Sequence, residues 1–314
     1  MAVFTSVRLQ EAAPFIQRQF NLSAASLSPI AEGIENTNYL LRTKQGNYVF
    51  TVFEVWDAAR VDYYAALMRH LAASGAPVPA PLFSRHEDGK QWGGKPCLLT
   101  PFVEGDWRRV PTAEECRHMG ATIGVLHSKA AGFAGDLPNP RGAAWRRQAA
   151  SQVRDKLPPH SRALLDDALA CDARFSMLPM PSTACHCDLF RNNVLWRGDH
   201  VAGVIDFYFG GEEVLIFDLA VCACDWCFND DDGVFDGVKL AALLAGYENK
   251  RALCALESLS FSDALTVAAL RFWLSRLYDW HFPRRAELLS PHNPERFEHI
   301  LWQVRQQYPP QKAG

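Results

Sequence analysis

The sequence predicts an α+β chain of two lobes: a small β-rich N-terminal lobe over residues 1–101 and a larger, mostly helical C-terminal lobe over residues 102–314. Three observations predict it. The strand-like runs 39–41 and 48–53 flank the turn-rich Thr43-Lys44-Gln45-Gly46-Asn47 and read as a hairpin. From about residue 112 the apolar residues recur mainly at helical spacing. At 314 residues the chain is long enough for a sizeable core in two parts.

Taken in order, residues 8–20 place Leu9, Ala12, Ala13, Ile16 and Phe20 near helical spacing. The hairpin follows. A helix over 58–73 ends at Ser74-Gly75 and Pro77. Pro79 and Pro81 open an extended stretch, and residues 95–100 form a strand that runs into Pro101-Phe102-Val103-Glu104-Gly105. Thr112 caps a helix over 112–131, with Glu114 and Glu115 in its first turn. Residues 136–141, with Pro138 and Pro140, form a loop. Helices over 161–172, 236–247, 261–281 and 294–307 follow, with short strands near 193–196 and 201–205 between them. There is no internal repeat and no low-complexity segment.

Apolar residues make up 48% of the chain and charged residues 21%, the profile of a globular protein. A formal charge of −3 gives no basic face for nucleic acid. No signal-peptide pattern and no apolar run long enough for a membrane span are present, so the expected location is cytoplasmic. The nine cysteines are scattered. Cys185-His186-Cys187 and Cys222, Cys224 and Cys227 lie in apolar runs and depart from zinc-ligand spacing, so they read as small buried hydrophobes. The acidic run Asp230-Asp231-Asp232 reads as a solvated loop.

Residues 185–195, Cys-His-Cys-Asp-Leu-Phe-Arg-Asn-Asn-Val-Leu, contain H-x-D-x-x-x-x-N. Phosphoryl transfer to a hydroxyl needs a carboxylate to orient or accept the hydroxyl proton, and oxygen ligands that hold Mg²⁺ against the phosphates. Asp188 and Asn193 supply one of each on one tight loop. A second acidic ligand is expected at the end of the strand over 201–205, where Asp206 stands before Phe207.

This segment resembles the catalytic loop of the aminoglycoside phosphotransferase/choline kinase group, which has a bilobal protein-kinase-like fold and I-D-F or I-D-W in place of D-F-G. The resemblance covers nearly the whole chain. Residues 33–39 resemble the nucleotide loop, 100–105 the hinge, 121–127 the helix before the catalytic loop, and Phe217-Asp218-Leu219-Ala220 the family's D-L-A element. It implies Asp188 as catalytic base, Asn193 and Asp206 as Mg²⁺ ligands, and ATP contacts from Gly33, Asn36, Thr37, Asn38, Thr51, Thr100 and Phe102. It further implies that His186 braces the loop and that Asp218 ties the metal loop to the helix behind it. One departure stands out: the third strand offers Thr51 where kinases of this fold carry a phosphate-binding Lys, and Asp62 on the next helix is a weak match to the usual Glu partner.

Within the group, Ala31-Glu32-Gly33-Ile34-Glu35-Asn36-Thr37-Asn38-Tyr39, Leu189-Phe190-Arg191-Asn192, Asp206-Phe207-Tyr208, Asp225-Trp226-Cys227 and residues 271–277 resemble the bacterial homoserine kinases. The implied partners are ATP and L-homoserine. A zwitterionic acceptor needs a cation for its carboxylate and a carboxylate for its ammonium. Arg271 and Arg276 are the candidates for the first, Asp225 for the second, with Arg191, Tyr208 and Trp226 beside them. Choline, aminoglycoside or methylthioribose phosphorylation, or a catalytically silent binding protein on the same fold, are the alternatives.

Overall fold

In the computed structural model, which describes residues 5–30, 35–230, 233–283 and 292–307, the chain parts into two units between Glu104 and Gly105. The first begins with α1 (Leu9–Phe20), whose inward residues Ala12 and Ile16 are fully buried. Strands β1 (Ala24–Pro29), β2 (Thr37–Thr43) and β3 (Gly46–Val52) follow, then α2 (Ala58–Ala73), the short β4 (Gln91–Trp92) and β5 (Lys95–Pro101). They form an antiparallel sheet in the order β1-β2-β3-β5-β4. β1 is absent from the sequence expectation because Ala-Ala-Ser-Leu-Ser-Pro carries only one large apolar residue.

The β2–β3–β5 register fixes the two faces of this sheet. Tyr39, Leu41, Phe50, Val52, Cys97 and Leu99 point to one face and close with α1 into the core of the unit. Each large side chain removed from water there stabilises the fold by about 2 kcal/mol. Asn38, Thr51 and Leu98 lie opposite one another on the other face. Helix α2 packs against β5, and its N-cap Asp57 accepts a hydrogen bond from Arg60 N.

The second unit opens with α3 (Ala113–Ala130), started by a capping box in which Thr112 and Glu115 bond each other's backbone N–H. Then come α4 (Ala143–Val153), α5 (Pro159–Phe175), β6 (Ser182–Cys185), β7 (Val194–Arg197), β8 (His200–Val204) and β9 (Gly211–Val214). Helices α6 (Leu215–Trp226), α7 (Gly237–Glu248), α8 (Ala255–Leu259), α9 (Phe261–His281) and α10 (Glu295–Gln307) complete it. β6 pairs with β9, and β7 with β8, both antiparallel. All twelve residues of α6 are buried, and α9 packs against it and against α4, α5 and α10. A helix covered on every side has no polar face, so its sequence carries no 3.6-residue alternation. That is why α6 escapes the periodicity reading.

Gly105 marks the chain's entry into this unit. Asp106 and Trp196 exchange backbone hydrogen bonds at 3.0 Å, and a Cβ on Gly105 would press into the Trp196 backbone. Helices α3 and α7 touch through glycine. A Cβ at Gly120 would overlap the Leu243 carbonyl oxygen, and one at Gly246 the Arg117 carbonyl oxygen. Both obstacles are backbone and cannot rotate away. Gly246→Ala is therefore expected to cost about 2 kcal/mol, seen as a lower urea midpoint at unchanged m. An unchanged midpoint would mean that the two helices part freely.

Candidate active site

The loop between β6 and β7 is held from three directions. Asp218, buried on α6, accepts backbone hydrogen bonds from His186 N (3.1 Å) and Cys187 N (2.7 Å) and a ring bond from His127 Nε2 of α3 (3.1 Å). Burial pushes the Asp218 carboxyl up, but the hydrogen bonds from His127 and from Cys187 N–H outweigh it and hold the group below the usual carboxylate range. An ionised Asp218 accepts only, so His127 carries its proton on Nε2. Its Nδ1 faces the Tyr247 hydroxyl at 2.9 Å, and Arg251 Nη1 donates to that same oxygen at 3.0 Å. Asp218 thus ties the β6–β7 loop, rather than the Asp206 turn, to the helices behind it.

His186 links the two loops. Its Nε2 donates to Ile205 O at 2.8 Å, and its Nδ1 accepts from Asp188 N at 3.2 Å. Cys187 and Asp206 both adopt left-handed φ, 62° and 64°. Two non-glycine residues in that region beside the same loop store local strain, which the surrounding hydrogen bonds hold in place.

Asp188 is thereby presented at the surface of its unit, its side chain 17% exposed. Asn193 Nδ2 donates to Asp188 O (2.8 Å) and Oδ2 (3.2 Å), which turns Asn193 Oδ1 away from that carboxylate. Ile205 N donates to Asn193 O, and Val194 pairs with Val204. Asn193 and Asp206 therefore stand at the same end of the β7–β8 hairpin, offering two hard oxygen donors of the kind Mg²⁺ takes. Arg271 of α9, 3% exposed, brings Nη1 to 3.7 Å from Asp188 Oδ1. Its guanidinium stacks on Phe272 at 3.7 Å and lies 5.1 Å from the Phe209 ring.

The other expected acceptor contacts are placed differently. Asp225 accepts from Arg191 N, Nε and Nη2 and from Arg296 Nη2, at 2.8 to 3.3 Å. Those four bonds fill the acceptor capacity of a carboxylate, so Asp225 sits in an ion network with Arg191, Arg296 and Asp230 instead of facing an open position. Trp226 is fully buried beneath the loop, with Nε1 donating to Leu189 O. Arg276 does not join Arg271: it stacks on Phe297 and donates to Asn293 O. Burial and neighbouring Arg296 push it down to about 10, so it stays cationic at neutral pH. Tyr208, in the turn after Asp206, is largely buried.

In the first unit, Thr51 Oγ1 donates to Asn38 Oδ1 at 2.8 Å, on the face of the sheet opposite α1. Thr100, paired with Val49, belongs to that same face, while Phe102 is exposed and its N–H bonds Asn47 O. Thr37 points to the α1 face, where its hydroxyl donates to Glu54. Asn36 is buried beside it in sequence, and Gly33 lies outside the described residues. Lys95 pairs with Glu54 on the α1 face, so it does not stand in for a lysine beside Thr51. Asp62 is solvated and pairs with Lys90.

The described cysteines are free, and all but Cys254 are buried. Donor atoms of His127, Cys185 and Asp218 lie within 4.8 Å of one another. They are, however, engaged with each other and the loop backbone, and burial pushes the Cys185 thiol well up, against the thiolate a metal needs. Of the acidic run, Asp230 pairs with Arg191 and Arg296, while Asp231 and Asp232 lie outside the described residues.

Residues 26–256 match the family model described as "Phosphotransferase enzyme family". The chain is 40% identical over 318 residues to a homoserine kinase of Janthinobacterium sp. (strain Marseille), covering 99% of this chain and 98% of that one. A homoserine kinase of Burkholderia ambifaria (strain MC40-6) is 38% identical, covering 96% of this chain and 95% of that one. Among solved structures, the fold is similar to the amicoumacin kinase hAmiN in complex with AMP-PNP, Ca²⁺ and Ami. The TM-score is 0.70 at 13% identity, over 96% of this chain and 95% of that one. It is also similar to the spectinomycin phosphotransferase APH(9)-Ia in complex with ADP and spectinomycin, with a TM-score of 0.66 at 14% identity over 96% and 100% of the two chains. No described helix is long and apolar enough to cross a membrane.

Proposed function

The chain belongs to the phosphotransferase enzyme family, and from that premise we propose that it is an ATP-dependent homoserine kinase, giving O-phosphohomoserine and ADP on the way to threonine. The observation that carries the acceptor is the near-full-length similarity to homoserine kinases at 40% and 38% identity. The site supports it with Arg271, a buried guanidinium beside Asp188, where an amino acid's carboxylate needs a cation.

In this reading Asp188 orients the side-chain hydroxyl of homoserine and receives its proton as the bond to the γ-phosphorus forms and the bond from that phosphorus to the bridging oxygen breaks, releasing ADP. Asn193 holds the Asp188 carboxylate in place through its amide N–H. Asn193 Oδ1 and Asp206 would hold Mg²⁺, which when bound would supply neutralisation of phosphate-oxygen charge. The strained turns at Cys187 and Asp206, braced by His186 and Asp218, keep these groups in register before substrate arrives. Arg271 and Tyr208 are the acceptor-side groups, while Arg191, Asp225 and Trp226 brace the loop and Arg276 packs on Phe297. Asn38, Thr51, Thr100 and Phe102 belong to the nucleotide side.

A coupled ADP-release assay over homoserine, choline, methylthioribose and kanamycin tests the reading. Homoserine is expected to give the highest kcat/KM by about a hundredfold or more, the discrimination a buried cation can provide when the carboxylate is missing. Preferred turnover of any of the other three would overturn the assignment.

A further inference from the structure

Arg141 lies in the loop between α3 and α4, which has no regular structure of its own. That loop is nevertheless fixed. Glu212 N donates to Leu137 O at 2.6 Å, Asn139 N to Glu212 O at 3.3 Å, and Asn139 Nδ2 to Glu213 at 2.9 Å. Asn139 Oδ1 then accepts from Arg141 N at 2.8 Å. The strand that receives these bonds, β9, directly follows the Asp206 turn. Arg141 is thus registered to the same turn that carries Asp206, Tyr208 and Phe209.

Its side chain is half-buried, and the guanidinium stacks over Trp145 at 4.3 Å and lies 5.6 Å from the Phe209 ring. Phe209 is also the ring beside which Arg271 stands, at 5.1 Å. Two arginines therefore converge on one aromatic side chain, and one of them, Arg271, reaches Asp188. Stacking involves the face of a guanidinium, while its N–H edge is the part that makes in-plane, bidentate contact with carboxylates.

Arg271 pairs with Asp188. A substrate carboxylate brought beside that pair adds a negative charge in a partly desolvated place and needs a further cation. We infer that Arg141 is a specificity-determining residue that grips the acceptor's carboxylate together with Arg271. The inference rests on the homoserine reading and names the contact that separates homoserine from an amino alcohol without a carboxylate.

Steady-state kinetics of Arg141→Met and Arg141→Lys, with L-homoserine and with 3-amino-1-propanol, test it. Methionine keeps most of the apolar stem. Arg141→Met is expected to raise KM for homoserine about tenfold or more, with KM for ATP and the rate on aminopropanol within about twofold of wild type. Arg141→Lys is expected to recover part of that loss. The loop is tied by Asn139 and backbone groups, so both variants are expected to unfold at the wild-type temperature. If wild type turns over homoserine and Arg141→Met leaves its KM unchanged, or weakens both acceptors alike, the inference fails while the kinase reading stands. If wild type does not turn over homoserine, the acceptor reading itself fails and takes the inference with it.

Discussion

Asp188→Asn is expected to lower kcat by about a thousandfold or more while leaving the fold and KM for ATP near wild type. The substitution removes the negative charge and the proton-accepting oxygen but keeps the shape. The bond from Asn193 Nδ2 to the Asp188 backbone carbonyl does not depend on the carboxylate, and neither does the bond from Asp188 N to His186 Nδ1. ADP release at saturating homoserine, read beside a thermal melt, separates loss of chemistry from loss of structure. A folded variant within tenfold of wild type would remove Asp188 from its role.

Asp218→Asn is expected to damage both stability and turnover. An Asn presents one acceptor oxygen where the carboxylate meets His186 N, Cys187 N and His127 Nε2, so at least one buried donor loses its partner. Breaking a fully buried, multiply bonded charge of this kind costs about 3–5 kcal/mol. The same residue sets an acid limit. Its pKa in the folded chain lies below that of an unfolded Asp, near 3.9. Its contribution is therefore complete above about pH 4 and is lost as pH falls through the folded value. Melting temperatures of wild type from pH 7 to pH 3 are expected to drop steeply below about pH 4. Asp218→Asn is expected to start lower and drop less. Parallel curves would show that Asp218 contributes nothing to that slope.

Much of the fold is visible in local patterns. Thr112 and Glu115 announce α3, the 43–47 turn announces the β2–β3 hairpin, and α2 and α9 begin and end where the spacing and breakers place them. Helix α6 is not visible, since burial on all sides erases its amphipathic signal. The site divides in the same way. Asp188, Asn193 and Asp206 are legible because one loop and one hairpin bring them together within nineteen positions of sequence. The proposed acceptor side depends on contacts between distant segments. Arg271 and Arg276, five apart, are turned about 140° from each other on a helix, so only one can reach Asp188. The pairing of Arg191 with Asp225 spans 34 positions, and the clamp that registers Arg141 spans 74, and no local pattern encodes either.

The most direct test of the acceptor assignment is ³¹P NMR of the product formed by the purified protein from ATP, Mg²⁺ and L-homoserine. The account predicts a phosphomonoester resonance that grows in step with ADP and coincides with added O-phospho-L-homoserine. ATP consumption that yields only inorganic phosphate, or no consumption at millimolar homoserine, would contradict it.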